Sequence, residues 1–204
     1  HFNRNKPIGP FLRIATGING WVDWNYNGQH ISSGSDLILD MELENFWRIG
    51  WVIARDYPGL NEDWGVQLLQ PSAWGFDFFL DTDNRKTITF AFESRFWQRD
   101  DRSSYEKALQ FSTGIKLTDN TMLNLESSYN QRFSSSQWIG EIQIEGEKQY
   151  LFAELDSQSF DFATRMDTSF SSNLSLEFFL QPFVATGNYT NYKTLLAPLT
   201  YQFF

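Results

Sequence analysis

Only two imidazoles are present in this 204-residue chain, His1 and His30, and there is no cysteine. Nucleophilic catalysis therefore has one place to start, His30 beside Ser32 and Ser33. A lipase-type site needs a Ser hydroxyl activated by a His that an acid or amide orients. Here Gly28 and Gly34 flank the group, so it reads as a loop with a small hairpin. A zinc centre needs three or four His, Cys or carboxylate ligands, and no convincing set exists. Asp81-x-Asp83-Asn84 resembles the opening of a calcium loop but lacks the central Gly and closing Glu, so it reads as a hairpin turn. With 25 acidic residues, a carboxylate pair for glycoside hydrolysis can be drawn almost anywhere and means nothing. No glycine-rich phosphate loop occurs. The reading is non-enzymatic, with no catalytic, metal or cofactor residue. A net charge of −9 argues against nucleic acid as a partner, because phosphate binding needs basic patches.

The elements have a period of two. From Tyr105, one face carries Lys107, Leu109, Phe111, Thr113, Ile115 and Leu117. The other carries Glu106, Ala108, Gln110, Ser112, Gly114 and Lys116. Successive strand side chains point to opposite faces, so one face is apolar and the other wet. The pattern recurs at Leu37–Leu43, Trp47–Ile53, Ile88–Phe96, Leu123–Phe133, Phe160–Met166 and Leu174–Leu180. Roughly ten segments are each as long as the ~9–11 residues a tilted membrane strand needs. No apolar run approaches the ~20 residues of a membrane helix.

Short connections are expected at Asp81–Asn84, Leu117–Asn120 and Ser171–Asn173. Longer polar ones are expected at Tyr57–Gln70, Gln98–Ser104, Ser134–Gln149 and Gly187–Ala197. The Tyr57–Gln70 loop, with Pro58, Gly59 and Trp64, is a candidate to fold into a lumen. The fold class expected is all-β, an antiparallel transmembrane β-barrel or part of one, with short periplasmic turns and long outer loops. Aromatic residues make up 18% of the chain although its mean hydropathy is only −0.42, which suits strands apolar at alternate positions. Trp47, Trp74, Trp97, Tyr105, Tyr129, Trp138 and Tyr150 fall near strand ends and are expected to form the two interfacial girdles. The polar candidates to face the lumen are Glu93, Arg95, Glu126, Arg132, Asp161, Arg165, Asp167 and Glu177, with mixed signs that can pair across water.

Three stretches are similar to a known family. They are Asp81-Thr82-Asp83-Asn84-Arg85-Lys86, Tyr150-Leu151-Phe152-Ala153-Glu154-Leu155-Asp156, and Asn173-Leu174-Ser175-Leu176 running on to Gln181-Pro182-Phe183-Val184-Ala185-Thr186-Gly187-Asn188-Tyr189. They resemble the C-terminal region, domain of unknown function 5916, of large outer-membrane proteins. Those proteins carry an N-terminal domain like carbohydrate-binding module family 9. The resemblance implies an outer-membrane barrel and no mappable catalytic residue. It also implies that residues 1–204 are one β-barrel region of a longer chain, since no export signal precedes His1 and relatives continue past the region of Phe204.

On this reading the chain sits in the bacterial outer membrane as an anchor or passage for extracellular material such as glycans. Its partners are the lipid bilayer and either missing strands of the same protein or a neighbouring envelope protein, with a glycan as possible ligand. A barrel-embedded hydrolase and a soluble lectin-like β protein are the alternatives. The strand near Phe11 and the strand near Val184 are expected to meet other polypeptide rather than each other. Pro198 suits an edge or loop better than a closing strand.

Overall fold

A computed structural model describes every residue except His1, Asn5, Asp63, Trp64, Gly65 and Glu145; the side chain of Ile144 is also left aside. Trp64 of the expected lumen loop and His1 thus lie outside the described residues. Thirteen strands form among them, with no helix: β1 (Phe2–Arg4), β2 (Phe11–Trp24), β3 (His30–Leu43), β4 (Arg48–Asp56), β5 (Gly59–Asn61), β6 (Leu68–Gln70), β7 (Ala73–Asp81), β8 (Ile88–Arg99), β9 (Ser104–Thr118), β10 (Thr121–Ile144), β11 (Glu147–Ser171), β12 (Leu174–Leu180) and β13 (Phe183–Thr194).

Neighbours in sequence pair antiparallel throughout one sheet, in the order β1-β2-β3-β4-β7-β8-β9-β10-β11-β12, while β13 pairs with β11 above β12. Leu180 opposes Thr164 and Phe183 opposes Asp161, so β12 and β13 keep one register along β11 and are one strand interrupted at Pro182. The path ends at β1 on one side and at β12–β13 on the other, and among the described residues these ends do not pair with each other. β5 and β6 form a separate small hairpin.

One end of the sheet carries tight turns, with two residues at Asp119–Asn120 and two at Ser172–Asn173. Phe46 adopts φ 61° in the β3–β4 turn, which lets four residues reverse the chain. The opposite end departs from the expected set of long loops. Gln98–Ser104 is a turn, because β8 runs to Arg99 and β9 begins at Ser104. Ser134–Gln149 is a projecting ribbon of β10 and β11. Gly187–Ala197 continues β13 as far as Thr194. The ribbon reads as a loop although its pairing continues, because Ser134–Gln137 is polar in sequence while Ser134 and Ser136 are buried and Trp138 packs on the core. Register shifts at Ser134/Gln137 and Trp138/Gly140 also change the phase of the alternation, which hides the strand from a period-two reading. Among the described residues, only the β4–β7 connection is long, and it holds the β5–β6 hairpin. Pro198 does lie in a turn, between β13 and a tail in which Leu196 and Gln202 bond through their backbones.

The fully buried hydrophobic core is small. Val66, Leu68 and Phe152 form it, with Trp138, Tyr150, Leu195, Tyr201 and Phe203 packed around them. Trp138 and Tyr150 therefore serve this core and not an outward girdle. The core sits where the β5–β6 hairpin and the tail meet across the sheet. Leu199 N donates to Gln67 O at 2.8 Å, and Gln67 Nε2 donates to Gln29 Oε1 at 2.8 Å. Asn25 Nδ2 donates to Glu62 Oε1 at 2.7 Å. These bonds join the β2–β3 turn, through the hairpin, to the tail that leaves β13.

Candidate functional site

Cross-strand register sorts the side chains of the main sheet into two faces. On the apolar face, Phe92 opposes Phe111, Leu123 opposes Ile115 and Met166, and Phe178 opposes Met166. On the polar face, Arg13, Glu42, Arg48 and Asp81 oppose one another in turn from β2 to β7, a row of alternating charge. Arg13 Nη2 and Arg48 Nη2 both reach Asp40 Oδ2, at 3.1 and 2.9 Å, and Arg48 Nη1 lies 3.9 Å from Asp81.

By cross-strand register Glu93, Arg95, Glu126, Arg132, Asp161, Arg165, Asp167 and Glu177 lie on one face of the sheet, without converging on one point. Arg95 pairs with Asp77 at 2.9 Å. Arg165 pairs with Asp167 at 3.1 Å and lies 3.7 Å from Glu177. Asp161 accepts from the Ser128 hydroxyl and from Gln181 Nε2. Glu126 lines a cavity of about 790 Å³ near the tight turns, with Glu42, Arg48, Asp81, Arg165 and Phe179. A single cavity reaching from β3 to β12 shows that the polar face curls inward. Glu93 lies in the next cavity, about 400 Å³, beside Asp77 and Arg95. Arg132 lines a third, with Arg99, Glu106 and Ser136.

Glycine makes the polar face smooth where rings must lie flat. A side chain at Gly34 would collide with the Trp21 ring, and one at Gly50 with the Phe79 ring and the Leu39 carbonyl. Trp97 also lies on the polar face, where its Nε1 donates to Asp56 Oδ2 at 3.0 Å, so it is not a girdle residue. His30 begins β3 instead of sitting in a loop. Ser32 donates directly to Asp23, so no imidazole bridges hydroxyl and acid as a triad requires.

The turns carry their own electrostatics. The Asp83 carboxylate, in the β7–β8 turn, is held down to about 2 by hydrogen bonds from Arg85, whose Nε donates at 2.8 Å. The same guanidinium lies 3.4 Å from the Phe46 ring centroid, tying this turn to the β3–β4 turn. At the other end Arg55 Nη1 donates to Asp100 Oδ1 at 2.6 Å and lowers that acid's pKa.

The family model described as Domain of unknown function (DUF5916) matches residues 40–198. The chain belongs to this family. No curated protein and no solved structure gives a significant match. The matched DUF5916 segment runs from the middle of β3 to the tail, so it holds all the cavities' charged residues from Asp40 onward. Sequence reasoning passed over Arg99 and Tyr201. Arg99 was legible in part, since it continues the odd-numbered polar series Glu93, Arg95, Trp97. Tyr201 carries no local signal: its hydroxyl lies 2.7 Å from Ser136 Oγ and donates to Ser103 Oγ at 3.3 Å, contacts made across the sheet.

Proposed function

We propose that this DUF5916 chain is part of a β-barrel in the bacterial outer membrane, acting without catalysis as an anchor or passage for extracellular material such as glycans. The observation that carries the reading is an inverted distribution of polarity. Ile18, Leu37, Phe76, Phe90, Leu109, Phe111, Phe160, Phe178 and Val184 are all exposed on the apolar face. The charged side chains instead line cavities on the concave face. The chain exposes 13124 Å², against about 9,900 Å² for a soluble monomer of its 23.9 kDa mass. Soluble monomers rarely expose apolar patches beyond a few hundred Å².

From Ile88 to Phe96 the apolar face of β8 extends roughly 27 Å along the strand at ~3.4 Å per residue. With a tilt of about 40° it spans much of a ~25 Å apolar band. In lipid the two free sheet edges would leave backbone groups unsatisfied, so the reading requires further strands from the same protein or a neighbouring envelope protein. The glycan part of the proposal rests on the resemblance alone, which implies a domain like carbohydrate-binding module family 9 in related proteins.

Single-cysteine labelling on whole cells with an impermeant maleimide tests the reading. Gln143→Cys, near the tip of the ribbon, should label on intact cells. Asn120→Cys, in a tight turn, should label only after the envelope is permeabilised. Labelling of Asn120→Cys alone reverses the orientation, and extraction of the protein without detergent sinks the membrane assignment.

A further inference from the structure

Polar-face arginines divide into two groups. Arg13, Arg48, Arg95 and Arg165 each have a carboxylate within 4 Å. Arg99 and Arg132 have no ion pair among the described residues, in a chain with 25 acids and 16 bases. Arg99 is only 9% exposed. Its Nη1 donates to Pro71 O at 3.1 Å and its Nη2 to Gln70 Oε1 at 2.8 Å, both neutral acceptors. Its Nε is buried with no partner. The Trp97 and Tyr201 rings flank the guanidinium, with centroids at 5.3 and 6.0 Å.

Arg132 stands close enough to oppose the charge of Arg99, and both line one cavity of about 550 Å³ below the tail. Ser104, Ser134 and Ser136 add hydroxyls to its wall, and Glu106 is its one acid among the described residues. Glu106 opposes Arg132 across the ladder without making an ion pair. Asp56 and Asp101 act on Arg99 from a distance, but neither contacts it, and Asp56 is held by the Trp97 indole.

A buried guanidinium with an unmet donor, beside a second unpaired cation, is a costly arrangement unless something supplies negative charge. We propose that this cavity binds an oxyanion, the carboxylate, sulfate or phosphate group of a small solute, between Arg99 and Arg132. An oxyanion there is drawn to the Arg99 guanidinium, contacts the exposed Arg132 side chain, offsets the repulsion between the two cations and is completed by the serine hydroxyls. Guanidinium forks match planar or tetrahedral oxyanions in two-point contacts. The volume falls within the range of small-ligand sites, so the rest of a sugar-sized solute fits beside the Trp97 ring. The site stands whatever solvent covers the apolar face.

Isothermal titration calorimetry on the full chain, folded in detergent micelles, tests this with galacturonate, inorganic phosphate and glucose. One anion should bind per chain and glucose should not. Preference for galacturonate or for phosphate identifies the source of the oxyanion, and either supports the site. Arg132→Gln, at an accessible position, should weaken anion binding about tenfold or more, the loss of one charge-assisted contact. Arg99→Gln should do the same where its near-UV circular dichroism matches the parent; if it does not fold, Arg132→Gln alone decides. No heat from either anion up to about 10 mM overturns the proposal, as does wild-type affinity in Arg132→Gln.

Discussion

Replacing Phe111 by Arg separates a membrane face from a wet one through depth. Phe111 is the central residue of β9, seven residues from each end of Ser104–Thr118. Leu117 lies on the same face six residues further toward the tight turn. At ~3.4 Å per residue and a tilt of about 40°, that is roughly 16 Å of depth, from the bilayer midplane to its edge. Exposure cannot distinguish the two positions, at 46% for Phe111 and 51% for Leu117. In water both substitutions should therefore behave as surface changes, within about 0.5 kcal/mol of each other. In lipid, Arg should cost ~2–4 kcal/mol at Phe111 and ~0–1 kcal/mol at Leu117. The Phe111 ring also stacks on Phe90 at 5.9 Å, so Phe111→Ala and Leu117→Ala are the proper references for each Arg variant. The assay is reversible guanidinium unfolding in phospholipid vesicles, followed by tryptophan fluorescence. Equal costs at the two depths would refute the argument, and a neutral Phe111→Arg would remove its basis altogether.

Two further outcomes follow from the turn and from the tail. The Asp83 carboxylate titrates lower in the folded turn, about 2, than the ordinary 3.8, so its bonds to Arg85 stabilise the turn fully above pH 4 and are lost as pH falls toward 2; proteolytic nicking of the Thr82–Thr87 turn should rise across that window and not above it, and Asp83→Asn should abolish the dependence. Tyr201→Phe removes a hydroxyl that reaches Ser103, Ser135 and Ser136, so it should weaken docking of the tail by ~1–3 kcal/mol, read as faster hydrogen exchange in residues 195–204 with the main sheet unchanged.

Much of the sheet was legible because strand alternation is local. Leu109, Phe111 and Ile115 could be assigned to one face from their own spacing, and the Asp119–Asn120 turn from its residue types. The projecting ribbon was not legible, because two bulges shift the phase between Ser134 and Gly140 and the run Ser134, Ser135, Ser136 shows no apolar alternation. Trp97 shows the limit of residue type: an indole near a strand end suggests a girdle, but its odd parity with Glu93 and Arg95 puts it on the charged face. The candidate oxyanion site depends on contacts among β6, β8, β10 and the tail, which are far apart in sequence. The polar series through Arg99 hinted at it, but nothing local revealed that Arg99 and Arg132 lack acids while Arg95 has one.

The free edge formed by β12 and β13 is the part of the sheet that soluble proteins protect against. Proline is a common protection, since it removes a ladder donor. Here Pro182 does not serve that purpose. Its carbonyl accepts from Phe162 N at 3.1 Å, so its missing N–H faces β11, inside the sheet. Residues of the opposite parity, Phe183, Ala185 and Gly187, turn their backbone groups outward, and that row is intact. Between Leu174 and Thr190 the strand carries one charge, Glu177, and its side chains are exposed throughout. An edge so long, apolar and unguarded is an aggregation site in water but an ordinary strand face within a larger sheet. Ala185→Pro tests which it is. It leaves the bonds to β11 in place and removes one outward donor. If the edge is free in the assembled protein, the change should be close to neutral. If another strand covers it, heat-stable assembly of the full chain in the envelope should fail, while Ala185→Ser at the same position assembles normally. Wild-type assembly of Ala185→Pro would show that nothing pairs there.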